Sequence, residues 1–434
     1  MEFKKYKIEE IGEVIGGGTP STKKSEYYGG NIPWITPKDL SNFKEVFISE
    51  GERNITEEGL KNSSARTLPS NTVLMTSRAP IGYLAIAKNE VTTNQGFKSI
   101  ICNESLVKPL FLYYSLKYDM DKIKSLGTGS TFSEISGKVV KNIEINLPSI
   151  EYQTIIEYIL GNFDKKIEIN QKIIANLEEL SQTLFKRWFV DFEFPDENGN
   201  PYKSSGGEMI DSELGEIPDG WNVKNLKDIA FCQNGYAFYK LGYSNSGYFA
   251  VDLGNININS EFVYTNKDKF ISKDIIDEKK EKFILNKNDL VMVMTDRTQE
   301  MNILGRTARI PKSNKYVLNQ RIFRLRAKNK HILTYLQAML NSVEIRNQLK
   351  MKSLGSAQKY INTKHITELS IKCPDNELIK NFYRSCENYF IKSEMLNEEI
   401  EKLTQLRDTL LPKLMSGEIE IPDDIEVNED ELSI

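Results

Sequence analysis

The feature that most constrains this chain is that it repeats itself once, in order, along most of its 434 residues. YKIEEIGEVIGGGTP at Tyr6 returns as WNVKNLKDIAFCQNG at Trp221, about 215 residues later. LPSNTVLMTSRAPIG from Leu68 pairs with LNKNDLVMVMTDRTQ from Leu285 at an offset of 217, after which the second copy carries a short insertion. VTTNQGF from Val91 pairs with VLNQRIF from Val317, and SLGTGSTF from Ser125 with SLGSAQKY from Ser353. INLP from Ile145 with IKCP from Ile371, and IANLEELSQTLFK from Ile174 with IEKLTQLRDTLLP from Ile400, both stand at an offset of 226.

Each half opens with a mixed domain. VLMTSR, YLAIA and FKSIIC read as strands, because apolar and β-branched residues cluster between Gly, Pro and Asn. VKPLFLYYSLKYDMDKIKSL and KHILTYLQAMLNSVEIRNQL read as helices. Each half then ends in a long helix. Steps of 4, 3, 4, 3 from Ile156 land on Ile156, Leu160, Phe163, Ile167, Asn170, Ile174, Leu177, Ser181, Leu184 and Trp188. The same ruler on the second copy lands on Phe382, Cys386, Tyr389, Ser393, Leu396, Ile400, Leu403, Arg407, Leu410 and Leu414. Two such heptad seams in one chain most simply pack on each other. The expected fold class is α+β, two mixed domains with two long helices that pack as a coiled coil, the other arrangement being each helix on its own domain's surface. Asn170 is either a register-fixing polar core residue or a solvated end. The segment between the halves, residues 192–220, is rich in Gly, Pro, Ser and acids and reads as an exposed linker. Asp191 beside it and Glu193, Asp196 and Glu197 within it read as solvated rather than metal-binding.

The chemistry of catalysis is missing from the pattern. His331 and His365 are the two histidines, and neither has a local His or Cys partner. No phosphate-binding GxxxxGK[ST] loop occurs, and GGGTPS at Gly16 lacks the third glycine of a dinucleotide turn. Neither an Asn-Pro-Pro-aromatic methyltransferase run nor a G-x-S-x-G elbow is present. The reading is a non-enzymatic binding chain with no catalytic residue and no metal site. Cys102, Cys232, Cys373 and Cys386 show no CxxC spacing, which suits a reducing cytoplasm. No run approaches 18 apolar residues, and MEFKKYKIEEIGE has no secretory apolar core, so neither a membrane span nor secretion is expected. The stretch from Glu418 onward holds eight acids and no Lys or Arg, so of the net charge of −4 the body carries +4. Such a body permits nucleic-acid binding, and such a tail is a solvating, disordered one.

The chain resembles the DNA-specificity subunit of type I restriction–modification systems over residues 1 to about 417. The resemblance is carried by GGGTPS at Gly16, IPWITPKDL at Ile32, TSRAPIG at Thr76, NQGF at Asn94, GSTFSEIS at Gly129 and INLPSIEYQTII at Ile145. LGEIPDGW, Leu214 to Trp221, is its most specific string. The family often has Glu-Gln where the long helix starts. This chain has Glu151, Tyr152 and Gln153, and its second copy has Asn376 and Glu377 with no Gln. The resemblance implies target recognition domains at 1–150 and 221–375, held apart by long antiparallel spacer helices at 151–191 and 376–417, with the linker at 192–220 and the tail at 418–434. It implies that each domain reads one half of a bipartite double-stranded DNA target. Methyltransferase activity would sit on two partner subunits and cleavage on restriction subunits. S-adenosylmethionine, ATP and magnesium would bind there and not on this chain.

Because the two domains differ in sequence, the target should be asymmetric. A helix of 34 residues spans about 50 Å, or about 15 base pairs, so the half-sites should lie at a fixed gap. Base readout favours paired donors and acceptors on loops and strand ends. In the first domain these are Lys23, Lys24, Trp34, Thr36, Lys38, Ser77, Arg78, Asn94, Gln95 and Lys98, with Ser130 and Thr131 as phosphate contacts. In the second they are Asp296, Arg297, Asn319, Gln320, Arg321, Ser356, Gln358, Lys359 and Tyr360. Asn94–Gln95 recurs as Asn319–Gln320, which fits a role in the fold as well as in reading. Arg78 and Arg297 recur too, which favours phosphate positioning. Two other readings are a coiled-coil scaffold that binds protein, and a DNA-binding regulator that works alone.

Overall fold

The computed structural model describes residues 2–41, 43–78, 80–128, 133–265, 267–356 and 358–419. The chain forms two compact units, Met1–Gln171 with Asn397–Ile434, and Lys172–Leu396. Each unit therefore owns a mixed domain and one half of each long helix. Neither long helix is a module by itself.

In the first unit a five-stranded sheet runs in the order Gly12–Gly16, Lys98–Cys102, Val73–Ser77, Ile81–Ala87, Phe47–Ile48. A three-stranded sheet holds Arg53–Ile55, Tyr28–Ile35 and Thr92–Thr93. The period of two along a strand decides the layers. Val73 and Met75 join a core with Phe111, Leu112 and Tyr114, while Leu74 points the other way to Ile35, Leu40 and Phe97. The second unit repeats the device. Its sheet Ala230–Asn234, Ile322–Ala327, Leu290–Val293, Thr307–Arg309 sends Leu290 and Met292 to one core and Val291 and Val293 to another. The expected single helices are each two. Pro109–Tyr118 is followed by Met120–Ser125, and Ile332–Asn341 by Val343–Met351. In the second pair Ser342 turns extended, and its side chain accepts from the Ile345 N–H. A Ser at that site competes for the backbone and starts a new helix.

The first long helix is Ile150–Phe185, followed by one wider π turn over Lys186–Val190, and the second is Asn376–Ser416. Every position on the heptad ruler is buried or partly buried. Off the ruler, Ile169, Ile173, Leu180, Ile391, Met395 and Leu406 are exposed. In the first unit Ile156 and Leu160, early in one helix, share a core with Leu411, Leu414 and Met415, late in the other. In the second unit Phe185, Trp188 and Phe189, late in the first helix, pack with Leu378, Phe382 and Cys386, early in the second. The helices are thus antiparallel within each unit. Asn170 is a core residue: it is buried, and its Nδ2 donates to Glu399 Oε2 at 2.9 Å.

The segment 192–220 is not the free linker its composition suggests. Phe192, Phe194 and Ile217 are buried with Trp221 in the second unit's core, and Phe194 stacks on Tyr202 at 4.6 Å. Aromatic spacing at its ends outweighs the polar middle, where Asp196 Oδ1 accepts from the N–H groups of Asn198 and Asn200.

Gln153 and Glu157 lie four apart on one face of the first long helix and satisfy the start of Pro109–Tyr118. Gln153 Oε1 accepts from the Lys108 N–H at 2.9 Å, and Glu157 Oε1 from the Phe111 N–H at 2.8 Å. These are N–H groups with no partner inside their own helix. Burial pushes the Glu157 carboxyl up from 4.5 to about 7, although the N–H groups of Phe111 and Leu110 pull it down. The folded chain therefore holds this proton more tightly than the unfolded one. Its stabilising contribution is complete below pH 4.5 and is lost as pH rises to about 7. Across that window the wild type should lose about 3 kcal/mol relative to Glu157→Gln. Urea midpoints of both proteins against pH measure this, and a difference that stays flat with pH contradicts it.

Candidate nucleic-acid interface

Three segments meet at one edge of each domain, and they do so by the same backbone hydrogen bonds. In the first, the Ser77 N–H donates to Gly96 O at 2.7 Å, and the Ile135 N–H donates to Ser77 O at 2.9 Å. In the second, the Met294 N–H donates to Arg321 O at 3.0 Å, and the Ile361 N–H to Met294 O at 2.9 Å. Arg78 then pairs with Glu134, and Thr295 with Tyr360, in single antiparallel bridges or short ladders. Each edge thus joins a strand end, an Asn-Gln turn and a returning segment.

This shared skeleton corrects two matches made from sequence. Thr295, not Arg297, is the counterpart of Arg78; Arg297 lies two residues further, on a longer loop. Thr128 bridges Glu134 as Leu354 bridges Tyr360. The SLG strings at Ser125 and Ser353 are therefore out of step by two, and the offset of 226 seen from Ile145 onward already holds here. Identical letters had outweighed register.

The repeated Asn-Gln pair splits by role. A Cβ on Gly17 would stand 1.9 Å from Asn94 O, and one on Gly235 1.8 Å from Asn319 O. Both glycines are there because the turn's backbone passes against them. Asn94 Oδ1 accepts from the Gly96 N–H at 2.8 Å, and Asn319 is buried. Asn94 ties its turn together and Asn319 is buried, so both are withdrawn as base readers. Gln95 and Gln320 are exposed in both halves.

Burial withdraws others. Trp34 is core, and its indole donates to Gly18 O at 3.0 Å. Ser77 is buried and donates to Gly96 O. Asp296 is buried and organises its loop, accepting from the Thr298 and Ile303 N–H groups. Burial alone would raise its carboxyl, but these N–H donors outweigh it and hold the group below the usual carboxylate range. Thr36 is partly buried and donates to Asp39.

What remains outward is a mixed set. In the first domain Lys23, Lys24, Lys38 and Gln95 are exposed and Arg78 and Lys98 partly so. Lys24 donates to Tyr27 Oη, Lys38 pairs with Glu52, and Arg78 lies 3.9 Å from Glu134. Lys98 lines a cleft with Lys138 and Lys141. In the second domain Arg297, Gln320, Arg321, Ser356 and Tyr360 are exposed, and Gln358 and Lys359 partly so. Arg321 takes a positive φ of 77° where its counterpart in the first domain is Gly96. Ser130 and Thr131 lie outside the described residues, as does the acidic tail from residue 420. Sequence reasoning missed Glu134 and a group of cations, Arg306, Arg346 and Lys350, behind the longer second loop.

Residues 1–179 and 218–405 match the family described as the type I restriction modification DNA specificity domain. The chain belongs to that family. It is 36% identical over 431 residues to the type I restriction enzyme MjaIX specificity subunit of Methanocaldococcus jannaschii, covering 96% of this chain and 93% of the relative. It is 25% identical over 380 residues to the HindI specificity subunit of Haemophilus influenzae, covering 74% and 80%. The crystal structure of a type I S subunit from M. genitalium has the same fold, with a TM-score of 0.57 at 15% identity over 98% of this chain and 97% of that one. As a specificity subunit the chain is a DNA-recognition component of a restriction–modification complex and is not itself the catalyst. No helix among the described residues is long and apolar enough to cross a membrane.

Proposed function

We propose that each domain of this specificity subunit reads one half of an asymmetric, bipartite duplex target. The paired long helices fix the gap between the half-sites. The observation that carries this is the duplicated edge, one backbone skeleton presenting different side chains. Arg78 and Glu134 stand where Thr295 and Tyr360 stand in the second copy, so the two edges offer different donors and acceptors to a groove. Two methyltransferase subunits and restriction subunits dock on this chain and bring S-adenosylmethionine, ATP and magnesium with them, in the cytoplasm. Exposed Ile173 and Leu180, seven apart on one helix face of the second unit, supply apolar area for such docking.

Co-expression with the host methyltransferase tests this. The two should purify together at two methyltransferase subunits per specificity subunit and protect one bipartite sequence from nuclease. Tight sequence-specific binding by the isolated chain, with no gain from the methyltransferase, would favour a stand-alone regulator instead.

A further inference from the structure

The second domain carries a feature that the first lacks. Met75 pairs with Leu84, whereas Met292 pairs with Thr307, so the second hairpin is six residues longer. The longer loop begins at the Asp296–Arg297 edge and ends at Arg306, and three cations hold its carbonyls. Arg346 Nη2 donates to Asn302 O at 2.9 Å, Lys350 Nζ to Glu300 O at 3.1 Å, and Arg306 Nε to Asn302 O at 3.4 Å. Arg306 Nη1 also reaches Ser260 Oγ at 3.3 Å. All these acceptors are neutral. Among the described residues no carboxylate lies within ion-pair distance of any of the three, and Arg346 Nε is buried with no hydrogen-bond partner. All three are partly buried, not sealed.

Burial, then the charge of Arg346, lowers Arg306 to about 10, and burial, then Arg346 and Arg306, lowers Lys350. Glu178 and Asp296 act on them only at a distance. Three like charges held together on carbonyl oxygens are under-neutralised. A phosphodiester supplies the missing charge and suits guanidinium and ammonium donors together. By strand register the first domain has Tyr83 where the second has Arg306.

We propose that Arg306, Arg346 and Lys350 form a phosphate-binding site that seats the DNA backbone against the second domain. This rests on the reading of the chain as a duplex binder. The test is affinity of the assembled complex for a duplex of arbitrary sequence, measured across salt concentration. The variant Arg346→Gln with Lys350→Gln should bind more weakly at every sequence, and the slope of log K against log salt should fall by about 1 to 2. Lys350→Gln alone, at a side chain that anchors only a loop carbonyl, should lower the slope by about 1. Arg346→Lys with Lys350→Arg should keep the wild-type slope. A neutral variant with an unchanged slope, or a charge-retaining one that loses it, overturns the site. A wild-type complex with no affinity for any duplex would instead overturn the reading beneath it.

Discussion

Arg407→Ala should destabilise the first unit by about 3–5 kcal/mol, because it leaves a buried carboxylate without its charge partner. Arg407 occupies a heptad position where the ruler meets a charge. Its side chain is 14% exposed, and that of its partner Asp164, on the other long helix, is 11% exposed. The opposite oxygen of Asp164 accepts from Tyr114 Oη at 2.6 Å, so the pair also ties the helix Pro109–Tyr118 to the seam. Burial, and after it the Asp164 carboxylate, holds the Tyr114 phenol well above its ordinary value. An exposed pair such as Lys38–Glu52 contributes at most about 1 kcal/mol. A urea titration reads the loss as a lower midpoint. The double variant Arg407→Met with Asp164→Asn should recover most of it, since both charges go at once and the amide oxygen can still accept from Tyr114. A single variant as stable as the wild type would show that the charge is not held by this contact.

Removing one heptad from each long helix should shorten the permitted gap between half-sites by about three base pairs. Seven residues contribute about 10 Å of helix, and a base pair about 3.4 Å. Residues 167–173 and 396–402 suit the deletion. Each removes a full 4–3 step of the seam, and together they take out both partners of the Asn170–Glu399 bond, so neither is left without the other. Methylation assays on duplexes with graded gaps measure the effect. A shortened complex that still prefers the original gap would show that the helices do not set it.

Much of this protein is legible in its sequence because periodicity survives translation into structure. The period of seven located both long helices, and the period of two located the central strands. Register was legible only where letters matched it. At Arg78 and Arg297 the same letter stands at different places, because the longer second hairpin moves Arg297 two residues past the bridge. Composition misled at 192–220, where Phe192, Phe194 and Ile217 anchor a polar segment to the core. Burial, which a residue type alone does not reveal, removed Trp34, Ser77, Asp296 and Asn319 from the surface. The cations behind the second loop were invisible for a different reason. Arg346 and Lys350 stand one turn apart on the helix Val343–Met351, and Arg306 joins them only because the loop it closes folds onto that helix.

The most direct test of a duplicated reader with two unlike edges is a methylation map of the host genome with this gene intact and deleted. Deletion should erase methylation at one asymmetric motif, two short specified stretches at a constant spacing, and leave other motifs untouched. An unchanged map, or the loss of an uninterrupted palindromic motif, would contradict it.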